Sequence, residues 1–265
     1  MLHFSDQLRR SIVLPQFPGR IISLVPSQTE LLYDLGLEEQ VVGITKFCVH
    51  PESWFRTKTR VGGTKTVNIE KALSLRPDLI IANKEENIKE QIDALASGIP
   101  VWVSDVNTLD EACDMIAGIG AITNTVAAAT VLTGKIREGF KRLSSTVQRP
   151  AISLPAAYLI WKDPYMTAGG DTFIHDMLTR CGFRNVFAGK DRYPSVVLQE
   201  LKEAGCRLVL LSSEPYPFKE KHIAGIQATL PETRVLLVDG EMFSWYGSRL
   251  VKAADYLEKI CLSLR

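Results

Sequence analysis

Several side chains of this 265-residue chain that could contact a ligand come directly after short apolar runs. Pro26 and Ser27 follow the first run, and Phe47 and His50 follow the second. An imidazole at position 50 can stack on a ligand, form a hydrogen bond or ligate a metal ion. Because ligands of open α/β sheets lie at the carboxyl ends of the strands, these four residues are candidates for a binding site.

A metal role for His50 is one interpretation of its spacing. Cys48 lies two positions before it, which places both side chains on one face of an extended chain. Two ligands do not complete a metal site, and the sequence offers no second pair. His50 is therefore a candidate metal ligand, and the alternative is a histidine that precedes Pro51 at the edge of a cleft.

Two lysines of the first half are also candidates: one lies within residues 61–66, and the other follows the apolar run over 79–82. Residues 61–66 (VGGTKT) superficially resemble a phosphate loop, but the order Gly-Thr-Lys does not fit that motif, which excludes nucleotide binding there. Thr64 and Lys65 are instead candidate ligand contacts, as is Lys84. Glu85 and Glu86, after Lys84, either contact polar groups of a ligand or stabilise the start of a helix.

Aromatic residues follow the predicted strands of the second half, and their flat apolar faces suit a macrocycle or a planar chelate. Packing inside the core is the alternative for these rings. The candidates are Trp161, Tyr193, Phe243 and Trp245. Arg249 could contact an anionic substituent of the ligand or be solvated.

The elements that position these residues alternate as strand and helix. Apolar runs in the first half predict strands over 21–25, 41–44, 79–82 and 101–103, and helical spacing predicts helices that start near Ser27, Asn68 and Glu85. Ser27 and Glu30 have the spacing of a capping box, and Gly36 suits the end of that helix. This order predicts a mainly parallel sheet flanked by helices.

The second half repeats this plan after a long helix predicted over 124–147. It predicts strands over 156–160, 208–211 and 235–238, a helix over 171–180 and a final helix from about Ser248. Residues 69–82 and 198–211 both predict a helix, a turn and a strand. We therefore predict an α/β protein with two Rossmann-like lobes, residues 1–122 and 149–265, joined by one backbone helix over 123–148.

Composition is that of an ordinary globular protein, with 46% hydrophobic and 23% charged residues. A net charge of +1 gives no electrostatic reason to expect nucleic acid or anionic membrane as a partner. No apolar run approaches the ~20 residues of a membrane span. Five dispersed cysteines and no leader as written favour buried thiols and a cytoplasmic location. We also expect a monomer.

The order of several segments resembles the helical-backbone class of ABC-transporter substrate-binding proteins. These segments are residues 6–37, 43-GITKFCVHP-51, residues 61–82, 99-IPVWVSD-105 and 168-AGGDTFIHDMLTRCGFRNVF-187. The resemblance implies a binding protein without a resident cofactor, for cobalamin, a ferric siderophore or haem. It also implies a preformed cleft between the lobes, lined by Pro26 and Ser27, and a periplasmic location as the alternative.

Among members of this class, the pattern is most similar to the cobalamin binders. Thr64 departs from them, since some carry a tryptophan near this point. The class docks on its permease through one acidic residue of each lobe. Glu70 matches the first of these, whereas the second falls on Gln199, with Glu200 beside it.

We therefore expect a non-catalytic protein that binds a corrinoid and has an ABC permease as partner, with a ferric siderophore or haem as the alternative ligand. An intracellular enzyme, sensor or storage protein for corrinoids or metals on the same fold is the alternative. No Ser-His-Asp, zinc-type or phosphate-loop arrangement supports an enzyme.

Overall fold

A computed structural model describes residues 1–147 and 153–264 of the chain. The chain divides into two compact units. The first unit contains Met1–Val106, Asp110–Lys135 and Tyr246–Arg249, and the second contains Asn107–Leu109, Ile136–Trp245 and Leu250–Arg265. The predicted lobe limits differ from these units mainly in two short segments, since Asn107–Leu109 belong to the second unit and Tyr246–Arg249 to the first. The lobe limits stay a prediction.

The first unit is built on a five-stranded parallel sheet and an antiparallel hairpin. The hairpin pairs β1 (Leu2–Ser5) with β2 (Ser11–Leu14). The sheet strands are β3 (Ile21–Ser23), β4 (Val41–Ile44), β5 (Thr59–Arg60), β6 (Leu79–Asn83) and β7 (Val101–Ser104). The helices are α1 (Pro26–Asp34), α2 (Glu52–Thr57), α3 (Ile69–Ser74), α4 (Lys89–Ala96) and α5 (Leu109–Ile122).

The strand order β5-β4-β3-β6-β7 creates a switch point in this sheet. From the central strand β3 the chain first adds strands on one side and then crosses over to β6 on the other side. All four pairings are parallel, so the carboxyl ends of the strands lie at one edge. Ligands of open α/β sheets bind at such a switch point, here at the ends of β3 and β6.

Buried apolar strands explain why this sheet forms. Every residue of β6 and β7 is buried, as expected for parallel strands that are covered on both faces. One face packs against a core that includes Ile22, Leu24, Ile80, Ile92 and Leu95.

The predicted long helix is α6, Val126–Val147, whose 22 residues span about 33 Å. Its first ten residues belong to the first unit and the rest to the second. Within the second unit, a Cβ on Gly139 would lie 2.8 Å from the Cβ of Ala254, so this glycine permits a close approach to the last helix.

The second unit has a mixed sheet in the order β11-β9-β8-β12-β13, with β10 also paired to β8. Its strands are β8 (Leu154–Trp161), β9 (Tyr165–Thr167), β10 (Phe183–Asn185), β11 (Ser195–Val196), β12 (Leu208–Ser212) and β13 (Arg234–Val238). Its helices are α7 (Phe173–Arg180), α8 (Leu198–Glu203), α9 (Glu220–Thr229), α10 (Glu241–Ser244) and α11 (Leu250–Ser263). β8, β10, β12 and β13 are parallel, whereas β9 and β11 add antiparallel pairings.

The internal similarity predicted from the sequence extends to backbone conformation. α3 and β6 correspond to α8 and β12, each a six-residue helix followed by a five-residue strand. Arg76 and Gly205 occupy matching positions after these helices, and both have positive φ, 47° and 65°. The fold prediction of two α/β lobes with mainly parallel sheets and a long helix is confirmed.

Two local predictions in the first unit were wrong. Ser27 does not cap α1, because Val25 is the N-cap residue and Pro26 is the first helical residue. The fixed φ of proline suits that first position. The helix predicted from Glu85 begins four residues later, at Lys89. Gly36 does follow α1 with φ of 79°, as predicted.

All five cysteines lie among the described residues, and they are buried and form no disulfide bond. Among the described residues, no helix combines the length and the apolar character that crossing a membrane requires.

Candidate functional site

The amino end of α1 lies at the switch point of the first sheet. The N–H groups of the first turn point out of the helix at this edge. Val25 provides no side-chain cap for them, and Pro26 itself has no N–H. Ser27 is 4% exposed, and Pro26 is partly buried. A helix amino terminus of this kind attracts acceptor groups of a ligand.

Glu30 does not reach back to cap this helix. Its carboxylate accepts two hydrogen bonds from Arg249, at 2.8 Å from Nε and 2.7 Å from Nη2. The Arg249 and Glu30 side chains are only 8% and 11% exposed. Arg249 was predicted to contact a ligand or to be solvated. The second alternative was wrong, because the guanidinium is buried and paired with Glu30, and contact with a ligand stays a prediction.

The loop after β6 is fixed by two buried asparagines. The Asn83 side chain accepts hydrogen bonds from the backbone N–H groups of Glu85 and Glu86, at 2.8 and 2.9 Å. Its amide donates to Ser104 at the end of β7. This turn replaces the helix start that was predicted from Glu85, since asparagine competes for nearby backbone groups.

Asn87 connects three segments of the same edge. Its Oδ1 accepts the N–H of Asn83 at 2.8 Å, and its Nδ2 donates to the carbonyls of Leu24 and Thr64 at 3.3 and 3.0 Å. The ends of β3 and β6 and the loop that contains Thr64 therefore lie side by side. Sequence reasoning missed this role, because the partners of Asn87 are up to 63 residues away.

Replacing Asn87 with alanine is expected to cost about 2 kcal/mol in unfolding free energy, since buried backbone groups lose their partners. Hydrogen exchange of residues 83–88 should also become faster. Urea unfolding and amide exchange measure both effects. Asn68→Ala is the control, because that exposed N-cap accepts one bond, from Lys71; equal exchange of residues 83–88 in both variants would contradict the role of Asn87.

Glu86 places a carboxylate on this fixed loop. Burial raises the pKa of Glu86, the neighbouring Glu85 raises it further, and Lys65 opposes the shift. The Lys65 ammonium donates to the carbonyl of Glu85. Among the described residues, none donates a hydrogen bond to the Glu86 carboxylate.

The raised pKa of Glu86 predicts a pH-dependent stability difference. A raised pKa in the folded state means that folding favours the neutral Glu86 side chain. The contribution of Glu86 to the free energy of unfolding is therefore full below the ordinary pKa of 4.5, and it is lost as the pH rises through the folded-state pKa. Glu86→Gln should therefore be more stable than the parent at pH 7, and this difference should shrink towards pH 4. Urea unfolding across this range checks the sign, and a parent protein that is the more stable at pH 7 would refute it.

Phe47 and His50 follow β4, as predicted. The Phe47 ring is 51% exposed, and the Lys46 ammonium lies 5.0 Å from its centroid. His50 is partly buried and precedes a cis bond to Pro51. Phe47 is therefore an accessible flat apolar surface in the first unit.

Cys48 is more deeply buried than His50. Its thiol is fully buried and lies 3.0 Å from Thr29 Oγ1 and 3.1 Å from Thr45 Oγ1. Burial raises the pKa of Cys48, which keeps the thiol protonated. The described residues contain no group of three or more metal-binding side chains, and His50 as the ligand of a bound metal stays a prediction.

The remaining candidates of the first unit differ in accessibility. Thr64 is 8% exposed, and its carbonyl is bound by Asn87. Lys65 is exposed. Lys84 is 60% exposed and forms an ion pair with Asp105 at 2.6 Å.

In the second unit, Trp161 and Tyr193 have accessible surface. Trp161, at the end of β8, is 41% exposed and contacts the edge of Tyr216 at a centroid distance of 5.7 Å. Tyr193 is partly buried, with the Arg192 guanidinium 5.8 Å from its ring centroid. Trp161 is the more accessible flat ring.

Phe243 and Trp245 are mainly structural. Phe243 has no exposed surface and packs against Tyr158 at a centroid distance of 4.9 Å, so the prediction that it contacts a ligand was wrong. Trp245 is 7% exposed, and its indole N–H donates to Glu214 at 3.0 Å. A ligand can reach only a small part of the Trp245 ring.

The two predicted docking residues differ in their surroundings. Glu70 is exposed in the first turn of α3. The Glu200 carboxylate accepts the N–H of Val197 at 2.8 Å and pairs with Lys190 at 3.0 Å, and these bonds lower the pKa of Glu200. Gln199 donates to Glu203 at 2.9 Å. Glu70 is thus the more available of the two carboxylates.

The structure brings together the first-unit candidates at one sheet edge, apart from Arg249. The backbones around Pro26, Thr64 and Glu86 are connected through Asn87, and Lys65 is bonded to the same loop. This edge offers helix N–H donors, a carboxylate acceptor and a flat exposed ring. It can therefore bind a bulky ligand with polar side groups.

Comparison with known proteins agrees with this arrangement. A family model described as "Periplasmic binding protein" matches residues 21–231. The chain is 27% identical over 261 residues to the vitamin B12-binding protein of Vibrio cholerae serotype O1 (strain ATCC 39541 / Classical Ogawa 395 / O395). That match covers 96% of this chain and 92% of the relative.

Solved structures share the fold. The periplasmic vitamin B12-binding protein BtuF of Vibrio cholerae superposes with a TM-score of 0.79 at 23% identity, covering 92% of this chain and 98% of that chain. The molybdate periplasmic binding protein MolA of Haemophilus influenzae has a TM-score of 0.84 at 19% identity, with 100% and 91% covered.

Proposed function

Because the chain belongs to the periplasmic binding protein family, we propose that it is a substrate-binding protein of the ABC-transporter type whose ligand is a corrinoid. It binds its ligand without chemical change and has no resident cofactor. The ligand is bound with its polar side groups at the switch point of the first sheet.

One observation carries this proposal. Similarity to a vitamin B12-binding protein extends over nearly the full length of both chains, at 27% identity. The solved structures are below 25% identity, so they support the fold and leave the ligand open.

The residues at the first sheet edge fit a corrinoid chemically. A corrinoid combines a flat macrocycle with peripheral carboxamide groups. The exposed Phe47 ring offers an apolar face, and the donors at the start of α1 suit amide carbonyls. Trp161 offers a similar face in the second unit.

We also propose a periplasmic location, a monomeric state and docking on an ABC permease. Glu70 is the proposed docking residue of the first unit, and Glu200 is that of the second. Both Glu200 oxygens already have partners. We therefore expect Glu70→Ala to lower the stimulation of the transporter's ATP hydrolysis by this protein more than Glu200→Ala does.

Calorimetry with a ligand panel tests the proposed ligand. The panel contains cobalamin, cobinamide, haem, a ferric hydroxamate, a ferric catecholate and molybdate. Saturable binding of one corrinoid per chain, tighter than any other member, is expected. Tighter binding of haem or a ferric chelate would assign the ligand to the alternative class, and binding to none would overturn the proposal.

Tryptophan substitution at Phe47 gives a matched check of the apolar face. Phe47→Ala should weaken corrinoid binding about tenfold, whereas Phe47→Trp should preserve it, because a flat ligand loses its stacking partner in the alanine variant only. Stacking of a nucleobase on an aromatic side chain, a contact of similar kind, contributes ~1–3 kcal/mol. Phe17→Ala is the control, since Phe17 is similarly exposed, at 40%, and follows the amino-terminal hairpin.

A further inference from the structure

Glu86 is an ionisable group at the switch point whose role the proposed function leaves unexplained. It lies on the loop after β6, next to Asn87, which bonds to the carbonyl of Leu24 at the end of β3. The loop is held at both ends, since Asn83 binds the backbone of Glu85 and Glu86. The position of Glu86 is therefore fixed before any ligand arrives.

The surroundings of Glu86 disfavour its charged carboxylate form. It is partly buried and next to another carboxylate, and both factors raise its pKa. No described residue donates a hydrogen bond to its oxygens. A desolvated, unpaired acceptor costs stability, and such costs are commonly retained where a ligand supplies the missing partner.

A second polar group at this edge also lacks a partner, and it is more deeply buried than Glu86. Gln28, in the first turn of α1, is fully buried, and its Oε1 has no hydrogen-bond partner among the described residues. Its Nε2 donates to Ser104, which also accepts a bond from Asn83. Two acceptors without partners therefore belong to the two segments that meet at the switch point.

The same edge of the sheet also carries donors. The first turn of α1 has N–H groups without a side-chain cap, and it directly follows the strand whose carbonyl binds Asn87. A group that fits both must accept a hydrogen bond through one atom and donate through another. A primary carboxamide has this arrangement, whereas a carboxylate or a catecholate oxygen can only accept.

We propose that Glu86 and the amino terminus of α1 together bind a primary carboxamide of the ligand. The amide carbonyl accepts from the N–H groups of α1, and the amide NH₂ donates to the Glu86 carboxylate. This inference rests on the proposed function, and it names the ligand group that the switch point selects. Ligands that present carboxylates or esters at this position are rejected, since they leave Glu86 unpaired or face its charge.

The test compares two corrinoids that share the macrocycle. Dicyanocobinamide carries primary carboxamides, whereas dicyanocobyrinic acid heptamethyl ester has methyl esters and no N–H donor. Calorimetry of the intact protein should give tighter binding of the cobinamide by about tenfold or more, as expected for a hydrogen bond to a charged group. Glu86→Leu should abolish this preference, and Glu86→Gln should retain part of it, because the glutamine amide still accepts.

Glu90→Leu is the matched control, because that exposed glutamate lies four residues away on α4. It should leave the preference unchanged. Circular dichroism of each variant before titration excludes misfolding as the cause of a loss, and the glutamine variant gives an independent measurement.

The outcomes separate this inference from the proposed function. If the parent binds both corrinoids equally, or if Glu86→Leu keeps the full preference, the carboxamide inference is overturned while corrinoid binding stands. If the parent binds neither corrinoid, both the proposed function and this inference are overturned.

Discussion

Replacing Arg249 with methionine is expected to lower the free energy of unfolding by about 3–5 kcal/mol, the usual cost of leaving a buried charge unpaired. Glu30 would keep a buried carboxylate, 11% exposed, without the two bonds from Arg249. The pair joins α1 to the segment Tyr246–Arg249, which is 219 residues away in sequence. Urea unfolding measures the loss.

An exposed ion pair provides the control for Arg249. Arg56 and Glu52 are 72% and 73% exposed, so Arg56→Met should cost no more than about 0.5 kcal/mol. The double variant Glu30→Met with Arg249→Met should be less destabilised than Arg249→Met alone, because no charge remains buried. A loss from Arg249→Met equal to that from Arg56→Met would contradict the importance of the buried pair.

Gly170→Ala is expected to destabilise the second unit by about 3 kcal/mol, through overpacking against backbone that cannot move freely. A Cβ at this position would lie 2.1 Å from the carbonyl oxygen of Ala188. The Gly170 N–H donates to the carbonyl of Lys190 at 2.8 Å, which keeps the two segments close. Thermal and urea unfolding measure the effect.

Gly189→Ala is the matched control, since it lies on the opposing segment and its added Cβ would meet no atom within 4 Å. It should change stability by less than about 0.5 kcal/mol. If both alanine variants unfold at the same urea concentration as the parent, the close approach at Gly170 is not a constraint.

Much of the fold was predictable because its signals are local. Apolar runs such as residues 79–82 and 208–211 predicted interior strands of the two sheets, and the absence of proline over 124–147 predicted the long helix. The glycines at 169 and 170 could be noted as a motif, yet their reason is a contact with residues 188–192 that no local pattern shows.

The candidate site was less predictable because its partners are distant in sequence. The Ser27–Glu30 spacing indicated a capping box, but Pro26 takes the first helical position and Arg249 binds Glu30. Sequence position placed Phe243 after a strand, and only the packing against Tyr158 shows that it is buried. Alternation of strand and helix did locate Pro26, Phe47 and Lys84 at the carboxyl ends of strands, whereas Thr64 follows β5, a strand that was not predicted.

The proposed function is tested most simply by whether the purified protein retains a corrinoid. After incubation with cobinamide and gel filtration, we expect the visible absorbance of the corrinoid to elute with the protein at one ligand per chain. Elution of all corrinoid absorbance in the small-molecule fraction, from a protein shown to be folded, would contradict the proposed function.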